Sequence, residues 1–251
     1  MISIVIPVYN AARYITQTLA CVFDQTHSDW ELILVDDCST DDSVNVIRTF
    51  IDERNGNDRT RLIVLDEETG GTAAKARNAG IAAAKGRYIA FLDADDLWDK
   101  DKLHLQRTFM EMKQAAFTFT SYEFADEAAA GTGKIVRAPK ELTYDKALSR
   151  TVIFTSTVML DKEMIPAQLL TMPDIESEDT AMWWQLLRNG IRAYGLDRVL
   201  TVYRRPAKSL SSNKWTAVKR IWGLYRHEGL SFPKALCSFF GWAVRATLRR
   251  I

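Results

Sequence analysis

Cysteine and histidine are scarce in this sequence of 251 residues, and their scarcity excludes several classes of site. The three cysteines, Cys21, Cys38 and Cys237, are an odd number at no motif spacing, so we expect free thiols in a reducing, cytosolic environment. The three histidines are scattered, which excludes an HExxH motif and a Cys/His zinc site. We therefore assign the histidines no role.

Long apolar runs and the glycine motifs of nucleotide-binding loops are also missing. No run of 18 apolar residues occurs, so we expect no transmembrane helix. Residues 1–8 are apolar but short and lack a cationic start, which favours a strand over a secretion signal. Neither GxGxxG nor a Walker A motif is present. A dinucleotide dehydrogenase is disfavoured, because its pyrophosphate needs a glycine turn after the first strand.

The net charge of +1 conceals an asymmetry between the two ends of the chain. Residues 214–251 contain eight Lys or Arg and one acidic residue, which gives that segment a net charge of +7. The preceding 213 residues contain 25 basic and 31 acidic residues and carry −6. An acidic body with a basic tail predicts contact between the tail and an anionic surface.

Strand and helix patterns alternate along the first hundred residues. Apolar, β-branched runs predict strands at residues 2–7, 31–35, 61–65 and 88–92. Amphipathic segments between them predict helices, the first capped by Asn10 and the second by Ser39 or Thr40. This βαβαβαβ order predicts an α/β fold with a Rossmann-like, mostly parallel central sheet flanked by helices. Ligands are then expected at the carboxyl ends of the strands.

The pattern is less regular after residue 98. We expect helices at 100–113 and 178–189, a loop at 128–133, and strands at 116–124, 152–160 and 192–203. From residue 213 onward the pattern is helical and basic.

Carboxylates follow two of the predicted strands. Asp93 and Asp95 come directly after an apolar strand, so both side chains project from the same side of a short extended turn. Two hard oxygen donors suit a divalent cation that also binds phosphate oxygens. A solvated acidic turn is the alternative, and the presence of Asp36 and Asp37 at another strand end disfavours it.

Three further side chains are candidates for contact with a nucleotide. Asp37 can accept a hydrogen bond from a base, Tyr9 can stack on it, and Arg77 can reach a phosphate. A helix cap, an edge aromatic and a surface cation are the ordinary alternatives, and each explains its residue equally well alone. Together the three residues describe a pocket for a nucleoside diphosphate.

Several segments taken together resemble the family 2 glycosyltransferases of bacterial surface-polysaccharide synthesis, which have the GT-A fold and invert the anomeric centre. The segments are 3–10 (SIVIPVYN), 35–43 (VDDCSTDDS), 76–80 (ARNAG), 86–96 (GRYIAFLDADD) and the pair Glu178-Asp179. The resemblance runs from residue 1 to about 212 and is most specific over the first 98. It implies a GT-A domain at 1–212, with a nucleotide-binding half (1–98) and an acceptor half (99–212).

The resemblance also implies a nucleotide-sugar donor, a Mg²⁺ or Mn²⁺ cofactor and specific site residues. Asp93 and Asp95 would serve the ribose and the metal, and Asp179, paired with Glu178, would be the catalytic base. The implied donor-binding residues are Pro7, Val8, Tyr9, Asn10, Asp37, Lys75, Arg77, Asp93, Ala94, Asp95, Trp183 and Arg204. For Trp183 and its neighbour Trp184, core packing is the alternative.

Asp179 also has a physical argument. Inversion needs one group to take the proton of the attacking hydroxyl while a metal stabilises the leaving diphosphate. The first turn of a helix favours an ionised carboxylate. Residue pattern alone would favour a simple capping role for both Glu178 and Asp179, and the family resemblance tips the interpretation toward catalysis.

Two segments further along bear on the mode of action. No Gln-x-x-Arg-Trp signature follows the Glu178-Asp179 pair, which favours a single transfer over processive polymer synthesis. The basic, serine-containing segment 204–212 has two equal interpretations, a mobile lid over the diphosphate and a plain exposed loop.

The basic tail at 213–251 is predicted to be an amphipathic helix. Apolar pairs repeat every four residues from Ala235, but the charge-free run 235–244 is too short to span a bilayer. A helix at 232–251 lying in the headgroup plane of an anionic cytoplasmic leaflet fits better. Docking on the protein's own core is the alternative. Nucleic acid is disfavoured as a partner, because no recognised binding motif accompanies the charge.

We therefore expect a cytoplasmic enzyme, peripheral on the inner face of the plasma membrane, that moves one sugar to a hydroxyl of a lipid-linked glycan. The expected donor is a UDP-hexose or UDP-N-acetylhexosamine. A phosphatase of the haloacid dehalogenase type is one alternative, but its DxD lies on an early strand and here it follows the fourth. A catalytically dead nucleotide-sugar-binding subunit is another, which the intact Asp93, Asp95 and Asp179 disfavour.

Overall fold

A computed structural model describes residues 1–205 and 214–248, in which ten strands form one sheet flanked by eight α-helices. The strands are β1 (Ile2–Val8), β2 (Trp30–Asp36), β3 (Thr60–Val64), β4 (Tyr88–Phe91), β5 (Leu97–Trp98), β6 (Phe117–Ala125), β7 (Gly131–Val136), β8 (Glu141–Leu142), β9 (Met159–Asp161) and β10 (Ala193–Arg204). The helices are α1 (Ile15–Phe23), α2 (Ser43–Glu53), α3 (Ala73–Ala83), α4 (Lys102–Lys113), α5 (Tyr144–Leu148), α6 (Glu178–Arg188), α7 (Lys214–His227) and α8 (Phe232–Leu248). The predicted α/β class is confirmed.

The sheet order is β3-β2-β1-β4-β9-β6-β10-β5. The first four strands in this order are parallel, as predicted, and β10 is parallel to β6. Strand β9 is antiparallel to both β4 and β6, so the sheet as a whole is mixed. Since β9 reverses direction between them, β4 and β6 run the same way. The carboxyl ends of β1, β2, β4, β6 and β10 therefore lie at one edge of the sheet.

Apolar side chains cover both faces of the sheet. On β1, Ile4 and Ile6 pack with α1 and α2, whereas Val5 belongs to the core on the opposite face. That opposite core includes Trp183 of α6 and Tyr225 of α7. All five side chains are essentially inaccessible to solvent, which is why the central strands read as continuous apolar runs.

The predicted caps of the first two helices are wrong. Helix α1 begins only at Ile15, and Asn10 adopts a φ of 48°, with its Oδ1 accepting a hydrogen bond from the Thr40 backbone N–H at 2.8 Å. The Ser39 hydroxyl accepts from the Asn10 N–H at 2.9 Å, and α2 begins at Ser43. These side chains bond the two strand-following loops to each other, so they are not available to cap helices.

Two predicted elements of the second half differ from the structure. The predicted loop at 128–133 is partly strand, because β7 begins at Gly131 and pairs with β6. The strand expected at 152–160 is reduced to β9, preceded by a 3₁₀ turn at Thr155–Thr157. The Ser156 carbonyl in that turn accepts a hydrogen bond from Trp98 Nε1 at 2.7 Å. Because this carbonyl bonds a side chain, it does not extend the strand.

The C-terminal helices pack against the body of the protein. A break at Gly229, whose φ is 64°, separates α7 from α8. On α7, Tyr225 stacks on Trp184 with ring centroids 5.7 Å apart and donates a hydrogen bond to the Leu148 carbonyl at 2.7 Å. Core docking, the alternative for the helix at 232–251, is thus correct for one side of α8, where Ala235 is buried, and α7 is docked as well. No helix in the described ranges has the length and apolarity needed to cross a membrane.

Candidate active site

A cleft of about 870 Å³ opens at the carboxyl ends of β1, β2 and β4. Nine of the predicted donor-binding residues line it, namely Pro7, Val8, Tyr9, Asn10, Asp37, Arg77, Asp93, Ala94 and Asp95. Sequence reasoning missed other lining residues, namely Ala11, Tyr14, Cys38, Glu67, Gly71, Thr72, Ala73 and Ala76. Most of these residues lie within or close to the sequence motifs described above, and that proximity along the chain is the signal that could have identified them.

One end of the cleft is built around Asp37. Its Oδ1 accepts a hydrogen bond of 2.6 Å from the Gly71 backbone N–H. Gly70 permits this approach, since a Cβ there would lie 2.7 Å from Asp37 Oδ1 and 2.9 Å from Cys38 Sγ. Tyr9 lies at the rim with 62% of its surface exposed. This end therefore combines a fixed carboxylate with an accessible aromatic ring.

The loop after β4 is fixed by hydrogen bonds from the second half of the chain. The Asp93 backbone N–H donates to Ser156 Oγ at 3.0 Å, and the same hydroxyl donates to Asp96 Oδ2 at 2.6 Å. The Arg204 backbone N–H donates to the other oxygen of Asp96 at 3.1 Å. Asp96 is fully buried and holds the loop, while Asp93 and Asp95 face the cleft.

Carboxylates crowd this loop, and the pKa values of Asp95 and Asp96 are raised. Burial and the neighbouring Asp93 carboxylate raise the pKa of Asp95 to about 6. Burial, followed by Asp95 and Asp93, raises the pKa of Asp96 well above its usual range. Excess negative charge at the mouth of the cleft is what a divalent cation would neutralise.

The donor set fits a cation that also uses oxygens of its ligand. Within residues 1–205 and 214–248, no group of three or more His, Cys, Asp or Glu side chains is arranged to hold a metal. Asp93 and Asp95 alone would supply two carboxylates, and Mg²⁺ is often bound by one or two carboxylates plus phosphate oxygens. These two residues therefore fit a metal held jointly with a diphosphate.

Arg77 links this loop to the start of α6. Its Nη2 contacts Asp93 Oδ1 at 2.6 Å, and its Nη1 donates to Glu178 Oε1. Burial opposes the charged guanidinium, but Asp93, Glu178 and Asp179 outweigh burial and raise the pKa of Arg77. Both terminal nitrogens of Arg77 bind carboxylates, and Arg77 also lines the cleft, so its contact with a phosphate stays a prediction.

The proposed catalytic pair opens α6. Asp179 Oδ2 accepts a hydrogen bond of 2.5 Å from Thr155 Oγ1, and its side chain is half-buried. Burial raises the pKa of Glu178, an effect that Arg77 opposes. Neither carboxylate lines the cleft itself, but the Arg77 bridge brings Glu178 next to Asp93. Glu178 is held by Arg77, which leaves Asp179 as the candidate base.

Three predicted donor-binding residues do not lie in the cleft. Lys75 Nζ donates to the Gly70 carbonyl at 2.9 Å. Trp183 is buried in the core, where its ring lies 5.3 Å from Phe117. Arg204 is buried under Tyr14 and donates to Gln17 Oε1 at 2.6 Å. Beyond Arg204 and Arg205, the predicted lid segment lies outside the described residues.

Two curated relatives are similar to almost the whole chain. One is named putative teichuronic acid biosynthesis glycosyltransferase TuaG, from Bacillus subtilis strain 168. It is 42% identical over 255 residues, covering 100% of this chain and 98% of the relative. The other is named UDP-Glc:alpha-D-GlcNAc-diphosphoundecaprenol beta-1,3-glucosyltransferase WfgD, from Escherichia coli. It is 34% identical over 223 residues, covering 88% of this chain and 84% of the relative.

Two solved structures share the fold. S. aureus TarS 1-349 in complex with UDP-GlcNAc superposes with a TM-score of 0.70 at 19% identity, covering 96% of this chain and 70% of that one. The mannosyltransferase PcManGT from Pyrobaculum calidifontis, in complex with GDP-Man and Mn²⁺, superposes with a TM-score of 0.69 at 18% identity. The match covers 98% of this chain and 73% of that one. At these identities the likeness establishes the fold, and the fold is that of the GT-A glycosyltransferases.

A family model described as Glycosyl transferase family 2 matches residues 3–159, which is more than half of the chain. The matched range contains the whole cleft and the Thr155 that contacts Asp179. The chain belongs to glycosyl transferase family 2.

Proposed function

We propose that this glycosyltransferase moves one sugar from a UDP-sugar to a hydroxyl of a lipid-linked glycan, with inversion and with a divalent cation. The observation that carries the proposal is the Asp93–Arg77–Glu178 bridge. It connects a cleft of nucleotide-sugar size to the helix start that bears Asp179. The relatives supply the class of process, since one is named for teichuronic acid biosynthesis and another for transfer to diphosphoundecaprenol-linked GlcNAc.

The donor end of the proposal rests on Tyr9 and Asp37. The exposed ring of Tyr9 offers a stacking face for a base. Asp37 is fixed through Oδ1 by Gly71, so its Oδ2 is the atom that would accept from a base N–H. We favour uracil because the WfgD relative is named for UDP-Glc and the TarS complex holds UDP-GlcNAc.

Asp93 and Asp95 are the residues that would hold Mg²⁺ or Mn²⁺ beside the diphosphate. When bound, the cation would stabilise the negative charge of the leaving diphosphate. The crowding that raises the pKa of Asp95 supports this role, because a cation would relieve it. The PcManGT complex, which has the same fold, contains Mn²⁺.

Asp179 is the proposed general base. It takes the proton of the acceptor hydroxyl as that oxygen forms a bond to the anomeric carbon. The bond from the anomeric carbon to the diphosphate oxygen breaks on the opposite face, and its electron pair leaves with the diphosphate. The Thr155 hydrogen bond orients the Asp179 carboxylate, and the N-terminal end of α6 favours negative charge there. Glu178 positions Arg77.

The outer side of α8 is the proposed membrane contact. Four apolar side chains at four-residue spacing are exposed on it: Phe232, Leu236, Phe240 and Val244, with 68%, 50%, 73% and 47% of their surface accessible. We call these four residues the apolar stripe of α8. Such a stripe on a basic helix is typical of helices that lie in the headgroup plane. The net charge of +7 over 214–251 favours an anionic, cytoplasmic leaflet.

Membership of glycosyl transferase family 2 excludes the phosphatase alternative. Measuring sugar transfer separates an active enzyme from a catalytically dead binding subunit. Thermal unfolding should be measured with a panel of nucleotide sugars and Mn²⁺. A donor at 100 times its Kd should stabilise the protein by about 2.7 kcal/mol, or roughly 5–10 °C for a chain of this size. Asp95→Ala should lose this shift, whereas Asp58→Ala, an exposed aspartate outside the cleft, should keep it. Equal shifts in both variants would contradict the metal assignment.

A further inference from the structure

We infer that four aromatic rings, joined to Asp179 through Thr155, form the subsite for the acceptor sugar. The rings belong to Tyr122, Phe124, Phe154 and Tyr203, and we call them the aromatic shelf. The ligand that this shelf fits is a pyranose whose apolar C–H face lies on the rings. The inference rests on the proposed function and specifies where its acceptor binds.

The sheet register assembles the shelf. Tyr203 on β10 is the direct neighbour of Phe124 on β6, and their ring centroids are 5.2 Å apart. The ring centroid of Phe154 lies 4.1 Å from that of Tyr203 and 5.3 Å from that of Tyr122. Because β6 and β10 end at the same sheet edge as β1 and β4, the shelf and the donor cleft both lie toward that edge.

The shelf is exposed enough to receive a ligand. Tyr122 is buried beneath the others, whereas Phe124, Phe154 and Tyr203 are half-buried. Rings that only completed the core would be covered, as Phe117 and Phe119 are on the same strand. Partly exposed aromatic side chains grouped with a few polar groups are typical of ligand sites. Arg205 adds a cation, with its Cζ 5.9 Å from the Phe124 ring centroid.

One turn of the chain connects the shelf to the proposed base. Phe154 precedes Thr155, whose hydroxyl donates to Asp179 Oδ2. The turn is rigid at this point, because the Phe154 carbonyl accepts hydrogen bonds from both the backbone N–H and the hydroxyl of Thr157, at 2.9 and 2.5 Å. On the other side, Glu178 reaches Asp93 through Arg77. Asp179 is therefore joined to the shelf through Thr155 and, through its neighbour Glu178, to the donor cleft, as a general base acting between donor and acceptor requires.

Phe154→Leu tests the shelf, because leucine keeps an apolar group but removes the flat face. Phe23→Leu is the matched control, since Phe23 is also half-buried and touches two rings, Trp30 and Phe50, at 5.4 Å each, away from the cleft. With UDP-Glc and an alkyl diphosphate of GlcNAc as acceptor, Phe154→Leu should raise the acceptor KM about tenfold or more. Donor Kd should not change, and Phe154→Tyr, which keeps the flat ring, should keep the wild-type KM.

A binding measurement separates this inference from the proposed function. Saturation-transfer NMR with UDP present and with methyl glycosides of GlcNAc, glucose and glucuronic acid needs no turnover. The wild type should transfer saturation to ring C–H protons of at least one glycoside, and Phe154→Leu should lose it while Phe23→Leu keeps it. If Phe154→Leu does not fold, Phe124→Leu replaces it in both measurements. An unchanged KM, or saturation transfer that is absent or unaltered, overturns the shelf even if the enzyme transfers sugar.

Discussion

Removing the guanidinium of Arg77 should destabilise the protein, because it removes both ion pairs that join the loop after β4 to the start of α6. The Arg77 side chain is 8% exposed, and its partners Asp93 and Glu178 are 24% and 15% exposed. Breaking a buried ion pair by removing one partner costs about 3–5 kcal/mol, because the remaining charge is left uncompensated. Water can reach Asp93, so we expect Arg77→Met to cost about 3 kcal/mol, at the lower end of that range.

The assay is urea unfolding at pH 7, with Arg107→Met as control. Arg107 pairs with Glu111 on the surface of α4, where such a pair contributes about 0.3–0.5 kcal/mol. Adding Glu178→Gln to Arg77→Met should recover part of the loss, because it removes one stranded carboxylate. The two single changes should then be non-additive by about 0.5–3 kcal/mol.

The deficit should also depend on pH. Burial already raises the pKa of Glu178, and Arg77 opposes that rise. Without Arg77 the folded-state pKa of Glu178 rises further above its unfolded value, so the folded variant takes up protons as the pH falls. The cost of Arg77→Met should therefore be smaller at pH 5 than at pH 7. A cost below about 1 kcal/mol that is the same at both pH values would refute the bridge as a structural link.

Two further changes test other parts of the structure. Replacing Leu236 and Phe240 of the apolar stripe by Ser should weaken binding to vesicles containing phosphatidylglycerol by about 2–3 kcal/mol, roughly 30- to 140-fold. Met112→Ser, a 71% exposed control on α4, should leave binding unchanged, and unchanged binding of the stripe variant would contradict the membrane contact. Lys102 is fully buried, its Nζ has no hydrogen-bond partner in the described structure, and burial lowers its pKa well below the usual range. In the unfolded protein Lys102 holds its proton up to a higher pH than in the folded protein, so the Lys102 contribution to wild-type stability should rise with pH up to about 10.5. Lys102→Met should add about 1–3 kcal/mol at pH 7 and less at pH 10, and a loss at pH 7 on urea unfolding would show that the ammonium is stabilising.

The cleft could be predicted because its residues follow from local sequence pattern. Strands β1, β2 and β4 read clearly as apolar runs, and parallel neighbours place their carboxyl ends together. Tyr9, Asp37, Asp93 and Asp95 follow those ends directly, so strand order alone brought them into one cleft.

The connections between the halves could not be predicted in this way. Arg77 and Glu178 are 101 residues apart, and no spacing rule indicates that they pair. The same holds for Asn10, whose side chain bonds the next strand-following loop instead of capping its own helix. Trp183 illustrates a different limit of sequence reasoning. It follows Asp179 by one helical turn, and this spacing does not reveal that the Trp183 ring is buried in the core.

The assignment of Asp179 as base is the claim on which the proposed mechanism depends. Asp179→Asn is nearly isosteric and keeps an oxygen for the Thr155 hydrogen bond, but it cannot take a proton. Transfer should fall by about 10²–10⁴-fold, the usual contribution of a general base, with donor Kd unchanged. Asp174→Asn, an exposed change five residues earlier, should keep full activity. If Asp179→Asn retains half of the wild-type transfer rate with donor binding intact, the base lies elsewhere and the account is contradicted.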